Sequence, residues 1–395
     1  MTAPVREESN VDELSGLCPV RPGDRLDGMA VRRFASPRDV SEAAAVMGCA
    51  YRTGLSVLPY GGGSKLAWAD PAASVDLVVE TVGLARTGYD TASDQITVGA
   101  GESVAAAQDT VARFGRRLAL DPPTDRATLG GVLATAEFGP LAHLYGPPAV
   151  QVADATVVLP NGTVTTLADR ARLLGTGVFD LRWTNPGRPH HASLIIDVTL
   201  RTYPQPPASA WVVCPVEQPL RVPELREEVL AAHLAPTAIE LDLPGIRRGA
   251  QASARRDATG TLAVLFEGSE VSVADRTRRL LERLGDRAHL ARRPPVWWGR
   301  YPFRSDEVAV KLHVPDGYLH SICYVLADAV GMPVPVRGSI GFGHAWAAIP
   351  GDLPVNQLAI VLETLREVLL ARSGSAVVQA APAHLREPLA AYRVP

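Results

Sequence analysis

Two glycine-rich stretches decide the fold of this chain: Pro59-Tyr60-Gly61-Gly62-Gly63-Ser64-Lys65 and Thr128-Leu129-Gly130-Gly131. Each stretch follows an apolar run that predicts a strand, residues 54–58 for the first and 117–120 for the second. Glycines at such a place let the backbone turn sharply and direct several N–H groups into one concavity, which suits a pyrophosphate. Two such turns in one domain favour a dinucleotide held between loops. An ordinary turn is the alternative for either stretch taken alone.

The first stretch differs from the glycine pattern of the nicotinamide-binding folds. Gly61 and Gly63 fit its first two positions, but Leu66 stands where the third glycine would let a helix pack onto its strand. Between the two turns, residues 74–80 have the apolar pattern of a buried strand, and residues 102–114 predict a helix. The chain therefore predicts an α/β arrangement around the turns that is not a nicotinamide site.

Further motifs surround the turns, namely Pro37-x-Asp39-Val40 ahead of a helix, residues 127–136 around the second turn, and a predicted hairpin over 157–164 with an Asn-Gly turn. Together they resemble the FAD-binding domain shared by vanillyl-alcohol oxidase and p-cresol methylhydroxylase, the PCMH type. Within that superfamily the chain looks most like the E subunit of bacterial glycolate oxidase. The resemblance covers residues 34–205 and implies an α+β protein, with a two-part PCMH-type FAD-binding domain followed by a smaller α+β cap domain.

The resemblance implies that FAD is held by both turns, with the first around the pyrophosphate and the second against the pyrophosphate and the ribityl side of the ring system. The cofactor-binding residues expected on this basis are Pro59, Gly61, Gly62, Gly63, Ser64, Lys65, Pro122, Thr128, Leu129, Gly130, Gly131, Ala134, Thr135, Gly139, Tyr145 and Ile196. Members of the family often attach the flavin through a histidine in the first turn. Ser64 and Lys65 occupy that segment here, so we expect non-covalent FAD.

Residues 185–194 depart from the family pattern. Where the family has a glycine-rich run against the flavin, this chain has Asn185-Pro186-Gly187-Arg188-Pro189-His190-His191-Ala192-Ser193-Leu194. Bulky side chains at this place would narrow the cofactor pocket. Two hypotheses therefore stay open. The chain is an FAD-dependent oxidoreductase or one of its subunits, or it is a non-catalytic flavin-fold subunit with a degenerate FAD site that acts through partner proteins.

The composition bounds the class of protein. A length of 395 residues allows two ordinary domains, and 47% hydrophobic with 21% charged residues is typical of a globular protein. The net charge of −3 provides no general attraction to nucleic acid or anionic membranes. No apolar run is long enough to span a bilayer and no signal-peptide pattern is present, which predicts a cytoplasmic protein. The four cysteines lack C-x-x-C spacing, which favours reduced thiols over a disulfide set or a metal site.

The predicted organisation has three parts: a flexible lead-in over residues 1–28, the FAD-binding domain over 29–205 and a cap or substrate domain over 206–395. The proline-rich run at 204–207 separates the last two. In the third part we predict strands at 210–215, 262–267, 308–314 and 339–349, and helices at 220–232, 273–284 and 355–372.

Candidate catalytic residues follow from the chemistry that the resemblance implies. Oxidation of a 2-hydroxy acid needs a cation for the carboxylate and a group that accepts the hydroxyl proton, which suits arginine and histidine. Arg304, His313 and His344 are the candidates. For each histidine, an ordinary exposed or hydrogen-bonded strand residue is the alternative. The resemblance assigns no catalytic residue, because the chain does not reproduce the histidine-rich pattern of the related D-lactate-type enzymes.

Other conspicuous residues have simpler interpretations. His190-His191 does not predict a metal site, because adjacent histidines on a strand point to opposite sides and no further ligand has suitable spacing. Trp297-Trp298 is interpreted as a hydrophobic joint between the domains or a contact with a partner subunit. His143 and Tyr145 are expected either in the pocket wall or in simple packing beneath the second turn.

The implied activity is oxidation of a small 2-hydroxy acid or similar alcohol by hydride transfer to the flavin. The reduced flavin would pass its electrons to other oxidoreductase subunits, a flavoprotein and an iron–sulfur protein, or to another acceptor. Recruitment of the fold to a biosynthetic step with a different substrate is a further alternative. Neither the substrate nor the electron acceptor can be derived from the sequence.

Overall fold

The computed structural model describes residues 13–68, 74–169, 193–247, 259–315 and 317–393. The chain forms two compact units. The first comprises Met1–Leu66, Ala72–Phe138 and Tyr145–Gln205, and the second comprises Ala67–Pro71, Gly139–Leu144 and Pro206–Pro395. Two short segments from the first half of the chain therefore belong to the second unit, which no feature of the sequence had indicated. Of the predicted lead-in, only residues 13–28 are described.

In its described residues, the first unit contains more strands than helices. Its strands are β1 (Val20–Pro22), β2 (Arg25–Leu26), β3 (Met29–Ala35), β4 (Val57–Tyr60), β5 (Ser74–Glu80), β6 (Thr87–Asp90), β7 (Gln95–Gly99), β8 (Arg116–Arg117), β9 (Val152–Val158), β10 (Val164–Thr166), β11 (Leu194–Arg201) and β12 (Tyr203–Pro204). The described α-helices up to residue 205 are α1 (Val40–Thr53), α2 (Val104–Ala112), α3 (Leu129–Ala134), α4 (Ala142–Tyr145) and α5 (Pro148–Gln151).

The first unit has two five-stranded sheets and a two-stranded sheet of β8 and β12. One five-stranded sheet has the order β1-β3-β5-β4, with β2 also paired to β3, and its strands β3, β5 and β4 run parallel. The other five-stranded sheet has the order β10-β9-β11-β7-β6 and is antiparallel throughout. A single hydrophobic cluster joins residues of α1, of β4 and β5, and of β9 and β11. Helix α1 is therefore the element around which both sheets share a core.

Local sequence explains where α1 begins and ends. The side chain of Asp39 accepts a hydrogen bond from the Glu42 amide and caps the first turn, and Gly54 ends the helix in the left-handed conformation, with φ 71°. The predicted hairpin is confirmed as β9 and β10, with Gly162 at φ 85° in its turn. The predicted strand at 117–120 is wrong. Only Arg116 and Arg117 pair, with β12, and residues 118–120 continue without a strand partner among the described residues.

The second unit is a sheet covered by helices. Its strands are β13 (Ala208–Val216), β14 (Ala238–Leu243), β15 (Gly260–Gly268), β16 (His289–Ala291), β17 (Glu307–His313), β18 (Val336–Ser339), β19 (His344–Pro350) and β20 (Ser375–Ala380). Its α-helices in the described residues after 205 are α6 (Val222–Leu230), α7 (Glu270–Leu284), α8 (Leu319–Val330) and α9 (Val355–Leu370). The strands form one antiparallel sheet in the order β16-β13-β15-β14-β18-β19-β17-β20.

Alternation along these strands divides the sheet into two faces. Apolar side chains of one face pack with the helices in the largest core cluster of the protein. The opposite face, here called the open face, carries a small apolar cluster around Trp211 and Leu265 together with polar side chains described below. The predicted single strand at 339–349 is wrong, because residues 340–343 form a turn that separates β18 from β19.

Candidate functional site

The first glycine turn leaves β4 with several unused backbone donors. Gly63 has φ +69°, a conformation that L side chains rarely adopt. Within the described residues, the N–H groups of Gly61, Gly62, Gly63 and Ser64 donate to no protein acceptor. All four residues are at least partly exposed. Successive accessible N–H groups in a turn form a concavity that binds anions, and we call these four residues the amide cradle.

The two glycine stretches, separated by more than 60 residues of sequence, pack directly against each other. A Cβ on Gly61 would lie 2.3 Å from the Thr128 hydroxyl oxygen, and a Cβ on Gly62 would lie 2.4 Å from the Arg126 carbonyl oxygen. Both separations are far below van der Waals contact. Glycine at these two positions is therefore required by the contact between the turns, independently of any ligand.

The second turn differs from the expectation that it offers free N–H groups. Thr128 caps α3, and the first three amides of that helix already have protein acceptors. Their bonds run from Leu129 to the Glu102 carbonyl (2.8 Å), from Gly130 to the Ala100 carbonyl (2.9 Å) and from Gly131 to the Thr128 hydroxyl (3.4 Å). Of the two glycine turns, only the first therefore has several backbone N–H groups without a protein acceptor in the described part of the chain. The second turn contributes shape and packing.

The remaining predicted cofactor residues differ in accessibility. Pro59, Pro122 and Thr135 are half-buried and Ala134 is exposed, so ligand contact stays possible for all four. Leu129 and Ile196 are 0% exposed and lie in the hydrophobic clusters of the first unit. Leu129 and Ile196 can therefore support the turns from beneath but cannot contact a ligand. Gly139 is buried, and its segment belongs to the second unit.

Lys65 forms a buried ion pair. Its Nζ lies 2.5 Å from Oε2 of Glu137, and the two side chains are 7% and 0% exposed. The other carboxylate oxygen of Glu137 accepts a hydrogen bond from Thr124 (2.9 Å). Lys65 Nζ also lies 3.2 Å from the hydroxyl oxygen of Ser64, at the edge of the amide cradle. The sequence singled out Lys65, but nothing in it indicated Glu137 as its partner.

Tyr145 has a structural environment. Its hydroxyl accepts a hydrogen bond from Arg117 (2.8 Å), and its ring lies against that of Tyr203, with centroids 4.6 Å apart. His143 packs tightly on Gly341, where a Cβ would lie 2.5 Å from the imidazole, and burial lowers its pKa. Both environments agree with simple packing, the second of the two interpretations.

The open face of the second unit brings charged and aromatic side chains into one row. Strand register places Asp242, Arg337, Trp346 and Lys311 next to one another on β14, β18, β19 and β17. Arg337 Nε donates to Asp242 Oδ1 over 2.7 Å, in a pair whose side chains are 17% and 10% exposed. Lys311 Nζ lies 5.8 Å from the Trp346 ring centroid, within range of a cation–π contact.

Aromatic side chains that sequence analysis did not connect lie beside this row. Trp68, Tyr301, Phe303 and Trp346 form a cluster with ring centroids 4.8 to 5.7 Å apart. All four side chains are half-buried. No periodicity could have indicated the cluster, because Trp68 is separated from the others by more than 200 residues.

The pair Trp297-Trp298 packs near the edge of the same sheet. Trp298 makes an edge contact with Trp211 on β13, with centroids 6.0 Å apart. The guanidinium of Arg337 lies 5.7 Å from the Trp297 ring centroid. Both tryptophans therefore pack within the second unit. Their predicted role in joining two domains or binding a partner stays a prediction.

His313 and His344 are direct neighbours on β17 and β19, with ring centroids 4.8 Å apart. Nδ1 of His344 lies 3.1 Å from the Phe342 carbonyl oxygen. The pKa of His344 is lowered to about 4, chiefly by burial; the hydrogen bond to Phe342 opposes this shift, and the nearby His313 and Lys311 contribute to it. The imidazole of His344 is therefore neutral near neutral pH. The structure joins these two candidates, although they are 31 residues apart in sequence.

Arg304 does not join them. Its backbone N–H donates to the Glu307 carboxylate (2.8 Å), which also pairs with Arg247 (2.8 Å). Glu307 and His313 are the two ends of β17. Six residue steps of a strand correspond to about 20 Å, so Arg304 and the histidines cannot act on the same small substrate. Of the three candidates, the structure brings only His313 and His344 together.

Three further features concern metal ligands, membrane-spanning helices and the altered segment around residues 185–194. Among the residues that the structure describes, no cluster of three or more His, Cys, Asp or Glu side chains could hold a metal ion. No helix in the described part of the chain is long and apolar enough to cross a membrane. His190, His191 and most of the altered segment, residues 185–192, lie outside the described residues.

Comparison with known proteins finds sequence similarity in the first part of the chain. Residues 31–168 match a family described as FAD binding domain. A mitochondrial cytochrome-dependent D-lactate dehydrogenase of Arabidopsis thaliana is 28% identical over 179 residues, which cover 45% of this chain and 31% of that protein. A D-lactate dehydrogenase of Archaeoglobus fulgidus is 24% identical over 207 residues, covering 49% and 46%. This chain therefore spans between about a third and a half of the length of these curated relatives.

The whole chain resembles a solved structure of p-cresol methylhydroxylase with substrate bound. The TM-score is 0.73 at 11% identity, covering 100% of this chain and 92% of the other. Identity this low shows the fold alone. The predicted fold class, an α+β protein with a PCMH-type FAD-binding domain, is confirmed. The particular resemblance to the glycolate oxidase E subunit stays a prediction.

Proposed function

We propose that the first unit binds FAD and that the chain is an FAD-dependent oxidoreductase, or a subunit of one, that oxidises a small 2-hydroxy acid or similar alcohol. The single observation that carries this proposal is the amide cradle, within the residues that match the FAD binding domain family. The similarity to D-lactate dehydrogenases supports a 2-hydroxy acid as substrate. The motifs shared with the glycolate oxidase E subunit support the same substrate class.

The residues present fit the diphosphate of FAD. Charge-assisted hydrogen bonds from backbone N–H groups to phosphate oxygens are the interactions that a glycine-rich turn offers best. Because a Cβ on Gly61 or Gly62 would point toward the second turn, glycine at these positions lets the second turn pack closely behind the donors. Thr128 and the Arg126 carbonyl support the turn from behind and hold its shape. The Lys65 ammonium at the edge adds positive charge that Glu137 partly offsets.

Bound flavin supplies a two-electron acceptor, and the chemistry of the substrate is left to side chains of this chain. Arg337 and Lys311 on the open face of the second unit offer cations suited to a carboxylate. His344 is neutral near neutral pH and can accept a proton, although its lowered pKa makes it a weak base. We propose these three, in place of Arg304, as the residues to test for substrate recognition.

The cofactor proposal is tested by titrating the purified chain with FAD and measuring binding through the quenching of flavin fluorescence. Ser64→Asp adds a carboxylate to an exposed residue of the cradle and should weaken FAD binding by at least about tenfold through repulsion of the diphosphate. Ser74→Asp is the matched control. Ser74 is exposed at the start of β5, whose other end, Glu80, pairs with Tyr60 just before the cradle.

The control site therefore lies about 20 Å along the strand from the cradle, and its variant should bind FAD like the parent chain. Equal affinities of the parent chain, Ser64→Asp and Ser74→Asp for FAD would show that the amide cradle does not contact the cofactor. No flavin binding by the parent chain, even with FAD in excess, would refute the proposed function. If FAD binds, the same spectra recorded with a series of 2-hydroxy acids would show substrate oxidation as bleaching of the flavin absorbance.

We further propose that FAD is held non-covalently, because the first turn contains Ser64 and Lys65 where relatives often have a histidine. Acid precipitation should release the flavin into the supernatant. Flavin that stays with the precipitated protein would contradict this.

A second candidate function is a non-catalytic subunit that works through a flavoprotein and an iron–sulfur partner. The observation that favours it is the distance between Arg304 and the two histidines, which leaves the predicted catalytic set incomplete. Purification of this chain alone in a form that oxidises substrate would exclude the second candidate. Stable association with partner subunits, and no activity without them, would favour it. A cytoplasmic location is part of both proposals and is checked by cell fractionation.

A further inference from the structure

The buried ion pair between Lys65 and Glu137 connects the two glycine turns. Lys65 is the last residue of the first turn, whereas Glu137 follows α3, and Thr124 precedes the second turn. Nζ of Lys65 lies 2.5 Å from one carboxylate oxygen of Glu137, and Thr124 donates to the other over 2.9 Å. With side-chain exposures of 7% and 0%, solvent screens this pair little.

The same ammonium reaches the cradle. Nζ of Lys65 is also 3.2 Å from the hydroxyl oxygen of Ser64, a residue whose N–H is one of the cradle donors. A diphosphate on those donors would therefore bring its negative charge close to an ammonium that already has an anionic partner. A carboxylate in that place opposes a second anion, because like charges within a few ångströms repel.

We propose that Glu137 is a competing counter-ion that sets the affinity of the cradle for a diphosphate. In the free protein it neutralises Lys65. When a diphosphate ligand occupies the cradle, Lys65 shares its charge with the phosphate oxygens, and the Glu137 carboxylate makes that binding weaker than the cradle alone would allow. Glu137 is thus a positioning residue that acts through Lys65. This inference rests on the proposed function, since it concerns the same site.

The sign of the effect separates this proposal from a purely structural role. If Glu137 only held Lys65 in place, its removal would weaken binding together with folding. If Glu137 competes, its removal leaves an ammonium without its counter-ion, which destabilises the free protein and is relieved by an anionic ligand. Stability of the free chain and affinity for the ligand then change in opposite directions.

The experiment compares the full chain with Glu137→Gln, Lys65→Met and the double variant. Affinity for FAD is measured by quenching of flavin fluorescence, affinity for ADP by competition, and stability by the melting temperature without ligand. Glu137→Gln should lower the Kd for FAD and ADP about tenfold, the effect expected of one nearby charge, and should lower the melting temperature of the free protein. Lys65→Met should raise the Kd, and the double variant should resemble Lys65→Met.

Asp76→Asn is the control for net charge. Asp76 pairs with Arg32 at 3.6 Å in the same unit, and its loss should leave the Kd unchanged. A Kd for Glu137→Gln that is equal to or higher than that of the parent chain would overturn the proposal. A Kd lowered equally by Asp76→Asn would overturn it too, since the effect would then be one of total charge.

Thr124→Val keeps the inference testable if Glu137→Gln does not fold. This change retains both charges but removes the hydroxyl that orients Glu137, so the Kd for ADP should fall a few-fold. An unchanged or higher Kd would count against the proposal. If the parent chain bound neither FAD nor ADP, the proposed function itself would be refuted. If the parent chain bound both ligands but Glu137→Gln bound them no more tightly, only the role of Glu137 would be refuted.

Discussion

Adding a single methyl group to Gly62 should separate the two glycine turns. In Gly62→Ala the new Cβ would lie 2.4 Å from the Arg126 carbonyl oxygen, and 3.5 Å from Cγ2 of Thr128. Ordinary contact of carbon with oxygen is above 3 Å, so one backbone segment must move by nearly 1 Å. Overpacking of this kind costs about 1–3 kcal/mol. Alanine also lowers the conformational entropy of the unfolded chain, which stabilises the folded protein by about 0.4–1 kcal/mol.

The net loss of stability for Gly62→Ala is therefore about 1.5 kcal/mol. For a unit of this size, that corresponds to a melting temperature lower by about 3–6 °C. The variant should also bind FAD more weakly, because the displaced turn carries the cradle donors. Gly88→Ala is the matched control, since Gly88 is exposed on β6 and a Cβ there would meet nothing within 4 Å.

The assay is thermal unfolding followed by circular dichroism, together with the FAD titration, for the parent chain and both variants. Gly88→Ala should melt at the parent temperature or slightly above it and bind FAD normally. The reasoning would be refuted if Gly62→Ala melted with the control, since the tight contact between the turns would then not exist. A lowered melting temperature with unchanged FAD affinity would mean that the contact between the turns exists but does not affect FAD binding.

Three further outcomes are expected. Thr128→Ala should destabilise the protein by about 0.5–1 kcal/mol through loss of the cap of α3, whereas Thr128→Ser should not, as denaturant unfolding would show. Arg337→Gln should cost about 3 kcal/mol because it leaves the buried Asp242 carboxylate unpaired. Arg278→Gln removes an exposed pair and should cost much less; equal losses of stability would contradict the burial of the Arg337 pair. The folded-state pKa of His344, about 4, is below its ordinary value of 6.5, so the stability that the neutral ring contributes is present above pH 6.5 and lost as the pH falls toward 4. His344→Gln should therefore flatten a plot of unfolding free energy against pH between these values. An unchanged plot would contradict the burial of the ring.

Local sequence was sufficient for much of the fold. The start of the capped helix α1, the Asn-Gly hairpin of β9 and β10, and the amphipathic helix α7 follow from signals within a few residues. The hairpin and α7 were predicted close to their observed bounds, whereas no end was predicted for α1. The glycine stretches predicted phosphate-binding turns because two of them follow predicted strands within one domain. These features depend on backbone conformation and periodicity, which neighbouring residues determine.

Other elements escaped sequence analysis because their signals are ambiguous. Strand β14 and helix α8 were not predicted, since a short apolar run fits a buried strand and a buried helix equally well. Residues 339–349 have strand composition throughout, and only the pairing of β18 with β19 shows that a turn interrupts them. In both cases tertiary pairing decides among local structures of similar free energy.

The sequence by itself determined which residue types are available for chemistry and where the two glycine turns lie. Only the tertiary structure decided their partners: Glu137 for Lys65, Asp242 for Arg337, and His313 for His344. It also placed Arg304 at the far end of β17 from the histidines and left the free amides to the first turn alone. The physical reason is that charge pairing, burial and strand register act through space between residues far apart in sequence, where no local pattern records them.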